Sequence, residues 1–328
     1  MDIQSIKDDL GDDWISFQQM MISKLDSEEP LLNKVNEYLF ERSGKQIRPI
    51  LALLTAHACK GFCNDNAIRC AAASEMIHTA TLLHDDVADN ADIRRGSPTI
   101  MSLFTPSASV LIGDFWLARA IRIIVCHCKN EIILCFSKCI EDLAEGEMLQ
   151  MQKAETLDTT EEDYISIISR KTASLFCAAV KSAAYAVEAQ DNVIDIMDKY
   201  AYHLGLAFQI RDDILDYSPS SQTGKMSGID IAEKKITLPL LMAFKNAPAE
   251  ITEQIKNRIR EIGSNNEEDK VSILEVLKFV YDYDGLECAQ KRLEQESRNA
   301  IEVISIIEDS FAKKHLIELA KYVGIRKN

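Results

Sequence analysis

Glycine and proline are scarce, 12 and 7 residues in a chain of 328. With them goes most of the turn chemistry that an all-β sandwich or barrel requires. Alternating apolar and polar runs are equally hard to find. Apolar residues recur at helical spacing almost throughout, so an all-helical fold is expected. Basic charge is also in short supply: 37 Lys and Arg against 52 Asp and Glu leave a net charge of −15. That balance excludes nucleic acid, whose phosphates need a basic face. It leaves room for a small anion, because a few local cations or bound metals override the global field. No apolar run approaches the length of a membrane span, and Met1-Asp-Ile-Gln-Ser-Ile-Lys-Asp-Asp9 carries no basic region and no apolar signal core. The chain is therefore expected in the cytoplasm, with its nine cysteines reduced. Cys126-His127-Cys128 with Cys135 and Cys139 matches no zinc ribbon or finger spacing.

Polar breaks fall at 60–66, 90–99, 105–109, 218–228 and 263–268. None resembles an interdomain linker and no solenoid repeat appears, so residues 1–328 are expected to form one domain. The longest break, Ser218-Pro-Ser-Ser-Gln-Thr-Gly-Lys-Met-Ser-Gly228, is long enough to serve as a lid.

What is abundant is aspartate in pairs. The pattern D-D-x-x-D occurs at Asp85, Asp86 and Asp89, at Asp212, Asp213 and Asp216, and at Asp8, Asp9 and Asp12. The copy at Asp8 has a glycine inside it and no long apolar helix before it, and is expected to be a solvated tail. The other two each end a long apolar helix. On such a helix Asp85 and Asp89 share a face, with Asp86 turned roughly 100° away. Like charges at that spacing repel, so a positive partner is expected. Two facing carboxylate clusters would bind hard cations through oxygen, with Mg²⁺ accepting diphosphate oxygens; two solvated helix ends salt-bridged to arginines are the plainer alternative. Cations for the remaining phosphate charge are present at Lys45, Arg48, Arg94, Arg95, Lys171, Lys225 and Lys235. Glu75-Met-Ile-His78 has the Glu-x-x-His spacing of di-iron bundles, but no second copy accompanies it.

These motifs occur in a specific order. Gly44-Lys-Gln-Ile-Arg-Pro49, Ile77-His-Thr-Ala-Thr-Leu-Leu-His-Asp-Asp86 and Asn90-Ala-Asp-Ile-Arg-Arg-Gly96 come first. Gly113-Asp-Phe-Trp-Leu-Ala-Arg119, Glu145-Gly-Glu147, Lys171-Thr172, Phe208-Gln209 and Thr237-Leu-Pro239 follow. In this the chain resembles the all-trans polyprenyl diphosphate synthases of the isoprenyl diphosphate synthase family. The resemblance implies an all-α bundle of long helices around a central cavity and a homodimer. It also implies several Mg²⁺ ions bound together with diphosphate by Asp85, Asp89 and Asp212, with Asp86, Asp213 and Asp216 in support. The allylic prenyl diphosphate would be gripped by these metals with Arg94, Lys171, Thr172, Gln209, Lys225 and Lys235. Isopentenyl diphosphate would be held without metal by Lys45, Arg48, His78 and Arg95. Phe208 is a candidate to stabilise an allylic cation, though ordinary packing explains it as well.

By the same resemblance, the growing chain runs along the helix before Asp85, past Ala80 and Thr81, then Ile77, Ser74 and Ala73. Short-chain members carry a bulky aromatic at Ala80 or Thr81; here nothing large stands there. At about 5.4 Å per helical turn, roughly one isoprene unit, a product of about six units or more is expected. Phe136 is a candidate floor, with a plain core aromatic the alternative. So apolar a product implies transient contact with a membrane surface on release. Two positions depart from the pattern: Ser97 replaces a common lysine and Lys234 a common glycine. The competing functions are a short-chain farnesyl or geranylgeranyl diphosphate synthase, a terpene cyclase, and a non-catalytic regulatory subunit. The second D-D-x-x-D opposes the cyclase, and the retention of both motifs opposes the subunit.

Overall fold

The computed structural model describes residues 2–94, 96–218, 228–263 and 267–325. Among these residues its regular structure is all helical apart from one hairpin of two two-residue strands. The chain divides into two compact units. The first comprises residues 1–138, 175–198 and 306–316; the second comprises 139–174, 199–305 and 317–328.

In the first unit, α1 (Ile3–Leu10), α2 (Asp12–Leu25), α3 (Pro30–Glu41) and α4 (Ile47–Lys60) lead to α5 (Asp65–Ala88). Helix α5 is capped by Asn64, whose side chain accepts from Ala67 N. Its Ala67, Cys70, Ala71, Ala72, Ala73, Ser74, Met76 and Ile77 are all buried. A helix covered on every side in this way is a core element, and α5 packs on α2, α4 and α7 (Pro106–Val125). Close approach to α7 depends on Gly113. A Cβ there would lie 2.4 Å from His84 Nε2, one residue before the first acidic motif. Trp116, one turn on, is buried and donates from Nε1 to Asn36 Oδ1 at 2.8 Å. The Gly-Asp-Phe-Trp signature is thus a packing device at the end of α5. Beyond α5, strands β1 (Ile93–Arg94) and β2 (Ser97–Pro98) pair antiparallel with Arg94 opposite Ser97, and the short α6 (Ile100–Leu103) leads into α7.

The acidic copy at Asp8 is solvated, with Asp8, Asp9 and Asp12 all exposed, but it is not a tail. Asp8 and Asp9 lie on α1, whose Ile6 and Leu10 are buried, and Asp9 Oδ2 is 2.7 Å from His315 Nε2. An amphipathic helix with one anchored carboxylate stands where a loose end was expected.

The second unit is built around a short π-turn, Ser169–Ala173, which carries Lys171 and Thr172. It continues α9 (Glu161–Ile168), whose start is fixed by a capping box between Thr160 and Asp163. Two glycines let neighbouring helices close on the turn. A Cβ at Gly146, on α8 (Asn130–Thr156), would sit 2.9 Å from Arg170 Cβ and 3.1 Å from Lys171 N. A Cβ at Gly205, on α11 (Asp191–Asp216), would sit 2.6 Å from Ala173 Cα. Single-turn π segments recur at functional sites because they re-aim side chains without ending the helix. α10 (Ser174–Ala186) follows the turn, and α12 (Ile229–Ala232), α13 (Leu238–Asn246) and later helices complete the chain.

Candidate active site

In the first unit the acidic motif sits at the end of α5. Asp85 is half-buried and Asp89 is exposed, while Asp86, between them, is buried. The helical wheel had separated them in the same way. Arg94 Nε donates to Asp86 Oδ1 at 2.6 Å. The chain reverses just after α5, where Ala91 N bonds Asp86 O at 2.9 Å, and this returns Arg94 on β1 to the motif. Burial pushes the Asp86 carboxyl above its ordinary range; Arg94 opposes the rise and Asp89 adds to it. Arg94 thus holds the aspartate that faces away from Asp85 and Asp89, the pair for which a positive partner was expected.

The remaining predicted residues of this unit are placed as follows. Lys45 is exposed just before α4, and Gln46 between them takes a left-handed φ of 56°. Arg48 lies in the first turn of α4 with its guanidinium 4.9 Å from the Phe176 ring centroid. His78 is half-buried. Ala80 and Ile77 are buried; Thr81 is half-buried and donates from Oγ1 to His78 O at 2.8 Å. Phe136 is 2% exposed. Arg95 lies outside the described residues.

In the second unit the motif repeats the alternation: Asp212 exposed, Asp213 buried, Asp216 half-buried. Asp213 is held by neutral donors. Tyr164 OH donates to its Oδ2 at 2.6 Å, and Gln209 Nε2 to its Oδ1 at 2.8 Å. Thr172 Oγ1 in turn donates to Gln209 Oε1 at 2.6 Å, joining the π-turn to the acidic motif. Burial raises the Asp213 carboxyl to about 7; the two hydrogen bonds oppose the rise, and Asp212 and Asp216 add to it. Asp216 accepts from the backbone of Ile229 at 3.1 Å and Asp230 at 3.0 Å, which starts α12. Phe208 is half-buried beside Gln209.

A cavity of about 160 Å³ in this unit is lined by Tyr164, Lys171, Gln209, Asp213, Asp230 and Lys235, among others. Lys171 is ion-paired with Glu147, and Lys235 Nζ lies 2.5 Å from Glu233 Oε2. Lys234 does not line the cavity and donates to Arg260 O at 3.1 Å. Its φ is 58°, the left-handed region, so the glycine common at this position has a conformational reason that lysine meets at some cost. Lys225 lies outside the described residues, as does 219–227 of the expected lid.

Sequence reasoning missed Tyr164 and Asp230. Tyr164 lies two helical turns before Lys171 on a capped helix, a spacing that would have placed it on the same face. Asp230 gave no signal. Its carboxyl is pushed well up by burial and by the charges of Asp213 and Asp216.

Both acidic motifs offer only oxygen donors. Each leaves its first aspartate accessible while fixing the second by hydrogen bonds. That donor set fits a hard divalent cation such as Mg²⁺ and does not suit a soft one. Among the described residues, no helix is long and apolar enough to cross a membrane.

Residues 29–277 match the family model described as polyprenyl synthetase. The chain is 36% identical over 329 residues to the octaprenyl diphosphate synthase of Haemophilus influenzae, covering 100% of this chain and 98% of that one. Its fold superposes on a decaprenyl diphosphate synthase from Rhodobacter capsulatus with a TM-score of 0.92, at 31% identity and 98% coverage of both chains. It also superposes on a polyprenyl synthase from Caulobacter crescentus, solved with calcium and isoprenyl diphosphate, with a TM-score of 0.89. That match has 29% identity and covers 100% and 98% of the two chains.

Proposed function

The chain belongs to the polyprenyl synthetase family, and on that premise we propose that it elongates an allylic prenyl diphosphate with isopentenyl diphosphate, releasing pyrophosphate. The observation that carries this is the hydrogen-bonded run Thr172–Gln209–Asp213–Tyr164 around a cavity that also presents Lys171 and Lys235. The carboxylates sit beside fixed cations and oriented amide and hydroxyl donors. Such a site suits a metal-bound diphosphate and offers no activated nucleophile. The proposal treats residues 1–328 as one catalytic domain. Support comes from the family match, which runs through segments of both units.

Asp85, Asp89 and Asp212 would hold Mg²⁺, which when bound supplies charge neutralisation to the departing pyrophosphate. Arg94, Lys171, Lys225 and Lys235 add fixed positive charge to the same leaving group, and Gln209 a hydrogen bond. Asp86 and Asp213 orient their motifs and do not ligate. Lys45, Arg48, His78 and Arg95 would position isopentenyl diphosphate, whose own diphosphate is retained. The allylic carbon–oxygen bond breaks, the double bond of isopentenyl diphosphate attacks the cation, and a proton is lost to the departing pyrophosphate. The active unit is proposed to be a homodimer.

A long product, about six isoprene units or more, is proposed from the small side chains at Ala73, Ser74 and Ala80. Incubation with Mg²⁺, farnesyl diphosphate and labelled isopentenyl diphosphate tests the function. Extended polyprenyl diphosphate supports it, a cyclised hydrocarbon points to a cyclase, and no turnover without a partner points to a regulatory subunit. Ala80→Phe should shorten the product towards C15 or C20 while turnover persists. Chromatography of the dephosphorylated products decides; an unchanged long product would refute the path along α5.

A further inference from the structure

One group of metal-binding side chains lies outside every motif named above. Asp13 stands in the first turn of α2 and His57 in the last turn of α4. Cys63 follows Gly61, which ends α4 with a φ of 79° and donates its N–H to His57 O at 2.8 Å. That left-handed turn brings the chain back, so Cys63 returns to the histidine it has just passed. His57 Nε2 is 2.7 Å from Asp13 Oδ2, and one ligand atom from each of the three residues lies within 4.8 Å of the others. All three side chains are half-buried.

The Cys63 thiol donates a hydrogen bond to Leu53 O at 3.5 Å, an ordinary distance for sulfur, and lies beside the Asp13–His57 pair. A bound cation would displace the thiol proton and neutralise the carboxylate. The donors are one sulfur, one imidazole nitrogen and one carboxylate oxygen. Thiolate and imidazole select zinc-class ions over Mg²⁺.

We propose that Asp13, His57 and Cys63 form a zinc-class metal site, with water as fourth ligand, that clips the start of α2 to the end of α4 and the loop after it. Tetrahedral binding requires the Asp13–His57 contact to open by about half an ångström, which side-chain rotation supplies. The site is distinct in chemistry from the aspartate motifs, which contain no sulfur, and its test does not depend on turnover.

The test is titration of the full-length protein with Co²⁺ in excess Mg²⁺. One equivalent should produce a thiolate-to-Co²⁺ charge-transfer band in the near ultraviolet, with tetrahedral absorption in the visible. Zn²⁺ should displace both and raise the melting temperature. Cys63→Ser should lose the ultraviolet band, Asp13→Asn and His57→Ala should weaken Co²⁺ binding at least tenfold, and Cys59→Ser should retain it. Circular dichroism confirms that each variant is folded; Asp13→Asn, which keeps the side chain's shape, stands in for any that is not. A wild-type protein with no thiolate band, or a band that survives Cys63→Ser, overturns the proposal.

Discussion

The two acidic motifs share one spacing and one alternation of accessible and buried aspartate, yet their buried members are stabilised in opposite ways. Asp86 is held by a cation, Arg94, delivered by a two-strand hairpin. Asp213 is held by a phenol from α9 and by an amide one turn before it on its own helix, α11. A guanidinium neutralises a carboxylate, whereas neutral donors only solvate it. Burial raises both carboxyls, Asp213 to about 7; the two hydrogen bonds offset part of the rise there, and the hydrogen bond and charge of Arg94 offset part of it at Asp86. The first motif is built around a fixed ion pair. The second keeps a carboxyl whose charge is balanced near neutrality.

The comparison breaks most readily at the accessible aspartates. Asp85→Ala and Asp212→Ala should each lower kcat by about a hundredfold or more, since each removes a proposed ligand from the charge-stabilising cluster. Circular dichroism should stay native. Asp9→Ala, in the third copy, should leave kcat within about twofold and lower stability by roughly 1 kcal/mol through loss of its His315 contact. Should Asp212→Ala turn over normally while Asp85→Ala does not, the two motifs do not share a task.

A smaller effect separates the two kinds of support. Arg94→Ala leaves Asp86 buried beside no cation. Breaking such pairs costs about 3–5 kcal/mol, and the 35% exposure of Arg94 puts this one at or below the lower limit. Above about pH 7, where Asp213 is ionised, Tyr164→Phe removes one hydrogen bond to a carboxylate, about 1.5–3 kcal/mol, and Gln209 remains. Urea unfolding of the metal-free protein should rank them in that order. Equal losses would mean that the cation is no more than another donor.

Much of this arrangement was legible before any coordinates. Helical spacing, the two motif-bearing helices and the separation of Asp86 from the face of Asp85 and Asp89 all follow from a 3.6-residue period. The partners of the buried aspartates were only half legible. Arg94 stands eight residues from Asp86 and was expected nearby, as a phosphate ligand or, in the plainer alternative, as a salt-bridge partner of the helix end. Tyr164 stands 49 residues from Asp213, and no local rule joins them. The π-turn was invisible for a similar reason. It depends on Gly146 and Gly205 admitting two helices against 170–173, a contact that no single segment encodes. The Asp8 copy misled because its anchor, His315, is 306 positions away. Ligand chemistry is local in sequence, whereas the groups that tune it are brought in by packing.

The smallest effect is the most direct test of the difference in charge. Between about pH 4 and about pH 7 folded Asp213 keeps a proton that the unfolded chain has lost, because its carboxyl lies at about 7 against an ordinary 3.8. The folded state then binds more protons, so stability falls as pH rises through that window, and the loss is complete above it. Asp213→Asn cannot release the proton and should escape this slope. Its stability relative to wild type should climb from about pH 4 to about pH 7 by something on the order of 1 kcal/mol. The change is this modest because Asp230, pushed up by the same neighbours, takes part of the titration. The amide also changes the contact to Tyr164, but that offset is the same at every pH and leaves the slope alone. Urea unfolding of the metal-free pair across the window measures it, and a flat difference would place Asp213 with Asp86 as an ordinary charged aspartate.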